Sequence, residues 1–335
     1  MWQGIRGHDD VVEQFRRSLA CGRLASTYLF VGPAGVGKRT FAQQLAAALL
    51  CPATDQHDLT ACGQCESCRL FAAGNHPDVD EVRRPDGKRT LPIELFVGDR
   101  DHRNQQGLCH NIALRPLLGR RRAAIIDDAD WLTVESANSL LKTLEEPPPG
   151  ALIILIGTSR SRQLPTILSR AQIVRFSRLP GDDAAELILQ QQLADDREAA
   201  LQLAELAGGS LEAARELADP ELAAMRDRFV GAFDRDRFDL PRICTDVLQF
   251  VNAAGKEAEA KRARLRRLFT LTAEAWRVRL RDNLQDGATV EFMLAAMDRT
   301  LTAAEQLDRN ANQATLIECW TADLARLRPA PAAAH

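Results

Sequence analysis

No apolar run in the chain approaches the ~20 residues needed to cross a bilayer, so no membrane-spanning helix and no membrane partner are expected. The opening residues, MWQGIRGHDD, lack the basic and apolar regions of a secretory signal, which points to a soluble, cytoplasmic protein. Positive charge is not in excess either. Lys and Arg number 43 against 46 Asp and Glu, a net charge of −3, so bulk electrostatics does not announce nucleic acid. Two local basic stretches, Arg120 to Arg122 and KRARLRR from Lys261 to Arg267, read as solvated helix or loop faces, with DNA contact as the alternative. No repeat of fixed period is present. Eight cysteines without an export signal argue against disulfides. Cys21, Cys109, Cys244 and Cys319 are scattered and read as buried small apolar residues.

The 335 residues suffice for two or three domains with substantial cores. In the first half, strand and helix signals alternate. TYLFVG (27–32) is a short apolar strand, followed by a glycine loop and the helix-forming FAQQLAAALL (41–50). RRAAIIDDAD (121–130) is a strand ending in acids, and SANSLLKTLEE (136–146) is a helix stopped by three prolines. ALIILIG (151–157) and AQIVRF (171–176) are further strands. Strands separated by helices predict a parallel sheet covered on both faces, an α/β fold. From Asp182 onward nearly everything reads as helix, with breaks at Gly208-Gly209, Asp219-Pro220, Leu240-Pro241 and near Asp286-Gly287. The expected domains are 1–179 (α/β), 180–219 (small helical unit) and 220–328 (larger helical unit), with a disordered tail at 329–335.

Residues 32–40, GPAGVGKRT, carry most of a phosphate-binding loop. Such a loop has the pattern G-x-x-x-x-G-K-[ST]: inward-turned backbone amides cradle phosphates, the lysine meets the terminal ones, and the hydroxyl holds Mg²⁺. Gly32, Gly37 and Lys38 stand at the required spacing, and Gly35 adds flexibility. The metal-ligand position, however, holds Arg39, with Thr40 one step too late. A cation there repels Mg²⁺, so a poor Mg²⁺-ATP site is expected. Asp127 and Asp128 stand where an acid pair would orient Mg²⁺ and polarise water, although capping of the next helix is an equal alternative. Thr158 is placed to sense a γ-phosphate. Ser169-Arg170 precedes the last strand, where an arginine acts as a finger on a neighbouring subunit's phosphates or lies idle on the surface.

Cys51, Cys62, Cys65 and Cys68 form a C-x10-C-x2-C-x2-C pattern within 18 residues. Two-residue spacings let thiolates converge on one ion, and four thiolates close a tetrahedral Zn²⁺ site with no position left for water, hence a structural one. Free buried thiols and an iron–sulfur cluster remain as alternatives.

Together these residues resemble the clamp-loader branch of the AAA+ proteins, closest to the delta-prime subunits of bacterial DNA polymerase III, with gamma/tau as sister family. The most specific stretches are ANSLLKTLEEPPPG (137–150), the four-cysteine insert, HPD (76–78), TSRSRQLPTILSRAQIVRF (158–176) and NQATLIECWTADLARL (312–327). The resemblance covers nearly the whole chain. It implies a P-loop domain with a zinc-binding insert, a helical lid and an all-α collar. It implies a stator in a five-subunit loader with gamma/tau and delta subunits, which places the ring-shaped sliding clamp on primed DNA. Ser169 and Arg170 fit the family's Ser-Arg pair, with Ala171 replacing the usual cysteine. Lys38 fits and Arg39 departs. Glu212, in AGGSLEAA (207–214), stands where active subunits carry an arginine. Both departures oppose Mg²⁺-ATP, so no ATPase activity of its own is expected, and they set the chain apart from gamma/tau, as does the lack, within these 335 residues, of the long extension that tau-type proteins carry. The competing readings are a hydrolysing gamma-like subunit, with Thr40 or water replacing the ligand, and a zinc-containing DNA-binding module.

Overall fold

The computed structural model describes residues 2–85, 88, 90–233, 239–283, 285 and 287–328. The tail at 329–335 and the break at Asp286 therefore lie outside the described residues. Two compact units result, 1–183 and 184–335.

Along the first unit run α1 (Asp9–Ala20), β1 (Thr27–Val31), α2 (Lys38–Leu50), α3 (Glu66–Ala72), β2 (Val79–Val82), α4 (Glu94–Val97), α5 (Leu108–Asn111), β3 (Arg122–Ile126), α6 (Val134–Glu145), β4 (Ala151–Gly157), α7 (Pro165–Leu168) and β5 (Gln172–Arg175). The five strands make one parallel sheet in the order β2-β3-β4-β1-β5. Parallel strands need crossover helices, and these cover both faces. Every residue of β1, β3 and β4 is accordingly buried, which explains their unbroken apolar runs. The pleat divides them between two cores. Tyr28, Phe30, Ile125 and Ile154 pack with Phe15 of α1 and Phe41 and Leu45 of α2. Leu29, Val31, Ile126 and Leu155 pack with Phe96, Leu140 and Ile167 on the other side.

The sequence reading missed β2, one of the two edge strands. Its VDEV carries two acids and no apolar run, because an edge strand is only half covered. Asp80 points to Asn111 and Arg122, while Glu81 points the other way, to Arg39 and Gln43.

The HPD stretch is a buried polar lock just before that strand. The Asp78 carboxylate is fully buried and accepts the amides of Leu117 (2.7 Å), Leu118 (2.8 Å) and Gly119 (3.1 Å). Arg122 stands 3.7 Å from it and donates to the Pro77 carbonyl at 2.7 Å. His76 Nδ1 accepts from the Asp78 amide at 3.0 Å, so its Nε2 carries the proton that faces Ser67 Oγ at 2.9 Å. Burial alone would push the Asp78 carboxyl up, but the three amides and Arg122 outweigh it and hold the group below the usual carboxylate range. A depressed folded pKa contributes stability that is present above the unfolded value and lost as pH falls through the folded one. Asp78→Asn is therefore expected to cost about 1–3 kcal/mol at neutral pH, because an amide replaces a charged acceptor. The variant should also lose less stability than wild type on acidification below about pH 4. Urea unfolding at pH 7 and in acid checks both; equal stability at pH 7 would contradict the lock.

The second unit is built of α8 (Gly181–Gln190, which begins just before it), α9 (Arg197–Leu206), α10 (Leu211–Leu217), α11 (Pro220–Ala232), α12 (Leu240–Asn252), α13 (Ala258–Asp282), α14 (Gly287–Asp308) and α15 (Gln313–Leu327). Asp196, Ser210, Asp219, Asp239 and Asn312 cap helix N-termini through their side chains. The core is aromatic: Phe229 stacks on Trp320 at 4.3 Å, and Trp320 Nε1 donates to Thr300 Oγ1 at 3.1 Å.

The four scattered cysteines are not buried as expected. Cys21 and Cys319 are exposed, and Cys109 and Cys244 are half-buried. Cys319 illustrates the reason: Leu316, Ile317, Trp320 and Leu324 form the inward stripe of α15, and helical periodicity puts 319 on the opposite face.

Candidate nucleotide loop, arginine and cysteine cluster

The glycine loop leaves β1 and enters α2 where the spacing predicts it. Gly32 is required by close approach, since a Cβ there would sit 2.3 Å from the Phe176 carbonyl oxygen. Gly37 adopts φ +96°, a left-handed cap from which α2 begins at Lys38, three residues earlier than the periodicity implied. His8, buried at the start of α1, donates from Nε2 to the Val36 carbonyl at 2.7 Å and packs edge-on against Phe176. Lys38 curls back, and its Nζ donates to the carbonyls of Gly32 (2.7 Å) and Pro33 (2.5 Å).

The metal corner of the loop holds a guanidinium. Arg39 Nε donates to Glu81 Oε1 at 2.7 Å and stands 3.8 Å from Asp127 Oδ2. Gln43 Nε2 reaches both Glu81 oxygens, at 3.1 and 3.2 Å. The hydrogen bond to Glu81 raises the Arg39 pKa further above its ordinary value, so the residue stays charged. Thr40 is exposed on the outer side of α2. The residues present do not fit Mg²⁺: its ligand is missing and its place beside the acid is filled by a fixed cation.

Asp127 is half-buried; burial pushes its carboxyl up, against the bond from the Asp128 amide (3.0 Å) and the pull of Arg39. Asp128 sits in the left-handed region at φ +57°, 3.7 Å from Arg84 Nε. It does not cap the next helix; Thr133 does, accepting from the Ser136 amide at 3.1 Å. Thr158 is drawn to Asp130, whose Oδ2 accepts both the Thr158 amide (2.8 Å) and its hydroxyl (2.5 Å), while Oδ1 accepts from Gln163. A side chain at Gly157 would collide with Gln163 and Asp130, so this polar knot closes tightly on the end of β4.

Arg170 is a half-buried guanidinium with all three nitrogens engaged. Its Nε and one terminal nitrogen grip Glu145 Oε1 at 3.1 and 2.5 Å. The other terminal nitrogen donates to the Thr166 carbonyl (3.0 Å) and to Ser169 Oγ (2.8 Å), and Ser169 Oγ in turn donates to Thr166 at 3.1 Å. Ser169 thus orients its neighbour.

The four clustered cysteines converge. Cys51 ends α2, Cys65 caps α3 and Cys68 lies in its first turn, and all four Sγ atoms lie within 4.8 Å of one another. Cys51 to Cys65 and Cys62 to Cys68 are each 3.9 Å apart. Sulfurs bound tetrahedrally at about 2.3 Å to one zinc stand about 3.8 Å apart, so the set fits a single ion and leaves no room for the irons and sulfides of a cluster. The amides of Cys65 and Cys68 donate to the Cys62 (3.3 Å) and Cys65 (3.5 Å) sulfurs. Burial opposes ionisation of Cys51, yet hydrogen bonds from Thr54 and nearby amides bring its thiol down to about 6. Burial and the neighbouring thiols push Cys68 up to about 12. A divalent cation removes that conflict by letting all four ionise.

The basic run of α13 is spent within its own unit. Arg262 bonds Asn310, Arg264 pairs with Glu221, Arg266 with Asp308 and Arg267 with Glu216. Arg122 of the shorter run is buried on Asp78. Glu212 lies in the first turn of α10. Sequence reasoning missed Glu81, His8, Asp130 and Glu145. Glu145 was visible within LKTLEEPPP, but its partner lies 25 residues away.

Residues 7–180 match the family described as DNA polymerase III, delta subunit. A DNA polymerase III subunit delta' of Pseudomonas aeruginosa is 36% identical over 189 residues, 56% of this chain and 53% of that protein. Subunit tau/gamma of Haemophilus influenzae is 31% identical over 232 residues, 68% of this chain but 31% of that one. Subunit delta' of Bacillus subtilis is 29% identical over 67% of this chain and 63% of its own. The chain thus spans about half or less of the first two relatives' lengths. A solved gamma subunit-related protein of Thermotoga maritima aligns over 95% of this chain and 99% of its own at 16% identity, with a TM-score of only 0.43. No helix among the described residues is long and apolar enough to cross a membrane. The family match over more than half of the chain decides the matter: the protein belongs to the DNA polymerase III delta-subunit family.

Proposed function

We propose that this chain is a delta-prime-like subunit of the bacterial replicative clamp loader, a cytoplasmic component of the DNA polymerase III holoenzyme. In this reading it is a stator in a pentameric AAA+ ring with gamma/tau and delta subunits, and the assembled ring loads the sliding clamp onto primed DNA. Residues 180–219 serve as lid and 220–328 as oligomerisation collar. Structural zinc sits on Cys51, Cys62, Cys65 and Cys68, and Arg170, oriented by Ser169, reaches the ATP site of a neighbour.

One observation carries the reading: Arg39, ion-paired to Glu81 beside Asp127, fills the metal corner of a loop whose glycines and lysine are otherwise in place. Gly32, Gly35, Gly37, Lys38, Asp127, Asp128 and Thr158 are then remnants of a nucleotide site. An exposed Thr40 supports no substitute ligand, and the internally paired arginines of α13 speak against a DNA-reading module.

The purified chain should hydrolyse ATP negligibly, well under the ~1 s⁻¹ at the low end of ordinary enzymes, and Arg39→Thr should recover nucleotide binding before it recovers turnover. Steady-state hydrolysis by the chain alone checks this, and turnover near 1 s⁻¹ or above would favour a gamma-like ATPase. Reconstitution with the other subunits tests the assembly: clamp loading should need this chain, and unchanged loading without it would defeat the proposal.

A further inference from the structure

Arg39 does more than leave a ligand out. Its guanidinium joins three elements of the first unit: α2, which carries it; β2, through Glu81; and the end of β3, through Asp127. Glu81 and Asp127 are both largely covered, with side chains 29% and 24% exposed, and they converge on one nitrogen. Two carboxylates brought together away from bulk water repel, and a cation between them is what makes the arrangement tolerable. In a working phosphate loop a hydrated divalent ion occupies that corner. Gln43 adds two hydrogen bonds that fix Glu81 toward it.

We propose that the Arg39 guanidinium is a built-in stand-in for the divalent cation: it neutralises Glu81 and Asp127, ties α2 to the sheet without metal or nucleotide, and bars Mg²⁺ from the loop. The inference is independent of clamp loading, because it concerns one corner of one unit. Two consequences separate it from mere loss of a ligand. The wild-type unit should be indifferent to Mg²⁺, and deleting the guanidinium should expose a pair of acids able to recruit a divalent ion.

The test uses the full, zinc-loaded chain in Mg²⁺-free buffer, with Mn²⁺ binding followed by electron paramagnetic resonance and Tm measured with and without millimolar Mg²⁺. Wild type should show no Mn²⁺ site that Asp127→Asn removes, and no Mg²⁺ effect on Tm. Arg39→Ala should lower Tm by about 2–4 °C in the absence of Mg²⁺ and regain part of that loss when it is added. It should gain an Mn²⁺ site about tenfold or more tighter than any residual uptake by wild type, since a repelling charge is gone, and Arg39→Ala with Glu81→Gln should lose that gain. Arg39→Gln, neutral but long enough to fill the space, serves if the alanine variant does not fold. A wild-type Mn²⁺ site abolished by Asp127→Asn would overturn the proposal. So would an Arg39 variant that matches wild type in Tm and in Mn²⁺ uptake.

Discussion

If the chain is the stator proposed above, Arg170→Ala is expected to leave folding, zinc content and assembly intact while removing roughly 10³ to 10⁵ of the rate at the neighbouring ATP site it would serve. The small folding effect follows from its setting. The Arg170–Glu145 pair is partly exposed, and pairs of that kind contribute about 0–1 kcal/mol. The large catalytic effect follows from the fork. Glu145, Thr166 and Ser169 together fix all the guanidinium nitrogens, so the group is oriented before any partner arrives. A side chain that enters the partner site already ordered loses little entropy there. To stabilise phosphoryl charge it has to exchange the Glu145 carboxylate for phosphate oxygens, a substitution of one anion for another. Lysine should not rescue the loss, because an ammonium lacks the planar fork. In the proposed ring the other sites would keep their own fingers, so total hydrolysis should fall only in part while clamp loading suffers more. The measurement is clamp loading and ATP turnover by a reconstituted complex carrying the mutant subunit. Wild-type loading with Arg170→Ala would reduce the residue to a surface ion pair.

Removal of zinc should have the largest effect on stability. Elemental analysis of freshly purified protein is expected to give close to one zinc per chain, and Cys65→Ser to lose it. Structural zinc supplies about 10–16 kcal/mol of apparent binding energy in isolated zinc-finger peptides at neutral pH. Here the module is also tied to the rest of its unit: Leu59 is fully buried, and its carbonyl accepts from Trp2 Nε1 (2.6 Å) and Gln3 Nε2 (2.9 Å). Ser67 connects it further to the Leu50 carbonyl (3.3 Å) and to His76. Chelation should therefore melt the segment around 51–72 and loosen the Asp78 lock while the buried strands persist, a lowered Tm with much of the circular dichroism retained. Affinity should fall with acid, because the thiols must ionise to bind metal and protons compete for them. Zinc far below one equivalent without iron in its place, or a Cys65→Ser variant with wild-type metal content and Tm, would contradict the site.

Much of this architecture is legible along the chain because its causes are local. An apolar strand, a glycine loop and an alanine-rich helix in succession predict the α/β start, and β1 and α2 follow. Three cysteines at two-residue spacings predict convergence, since neighbours that close can hardly avoid one another on a turn and the first turn of α3; Cys51, at the end of α2 with ten residues intervening, is brought to them by the fold. Elements with weak local causes were lost. The strand β2 has a mixed VDEV sequence and owes its place to pairing with β3, Cys319 owes its exposure to which way its helix faces, and Cys21 lies in the turn that ends α1.

The sequence by itself determined that a phosphate loop is present with arginine in its metal position, that four thiols share one site, and that the later part is helical. Each rests on residue type and short spacing, which chain geometry turns directly into structure. Tertiary structure alone decided what those residues touch. It set Arg39 between Glu81 and Asp127, tied Thr158 to Asp130, put Glu145 under Arg170, and spent the arginines of α13 on internal acids. The partners lie from 25 to 88 residues apart in sequence. Charge pairing at such separations is governed by sheet order and helix facing, which no local pattern encodes.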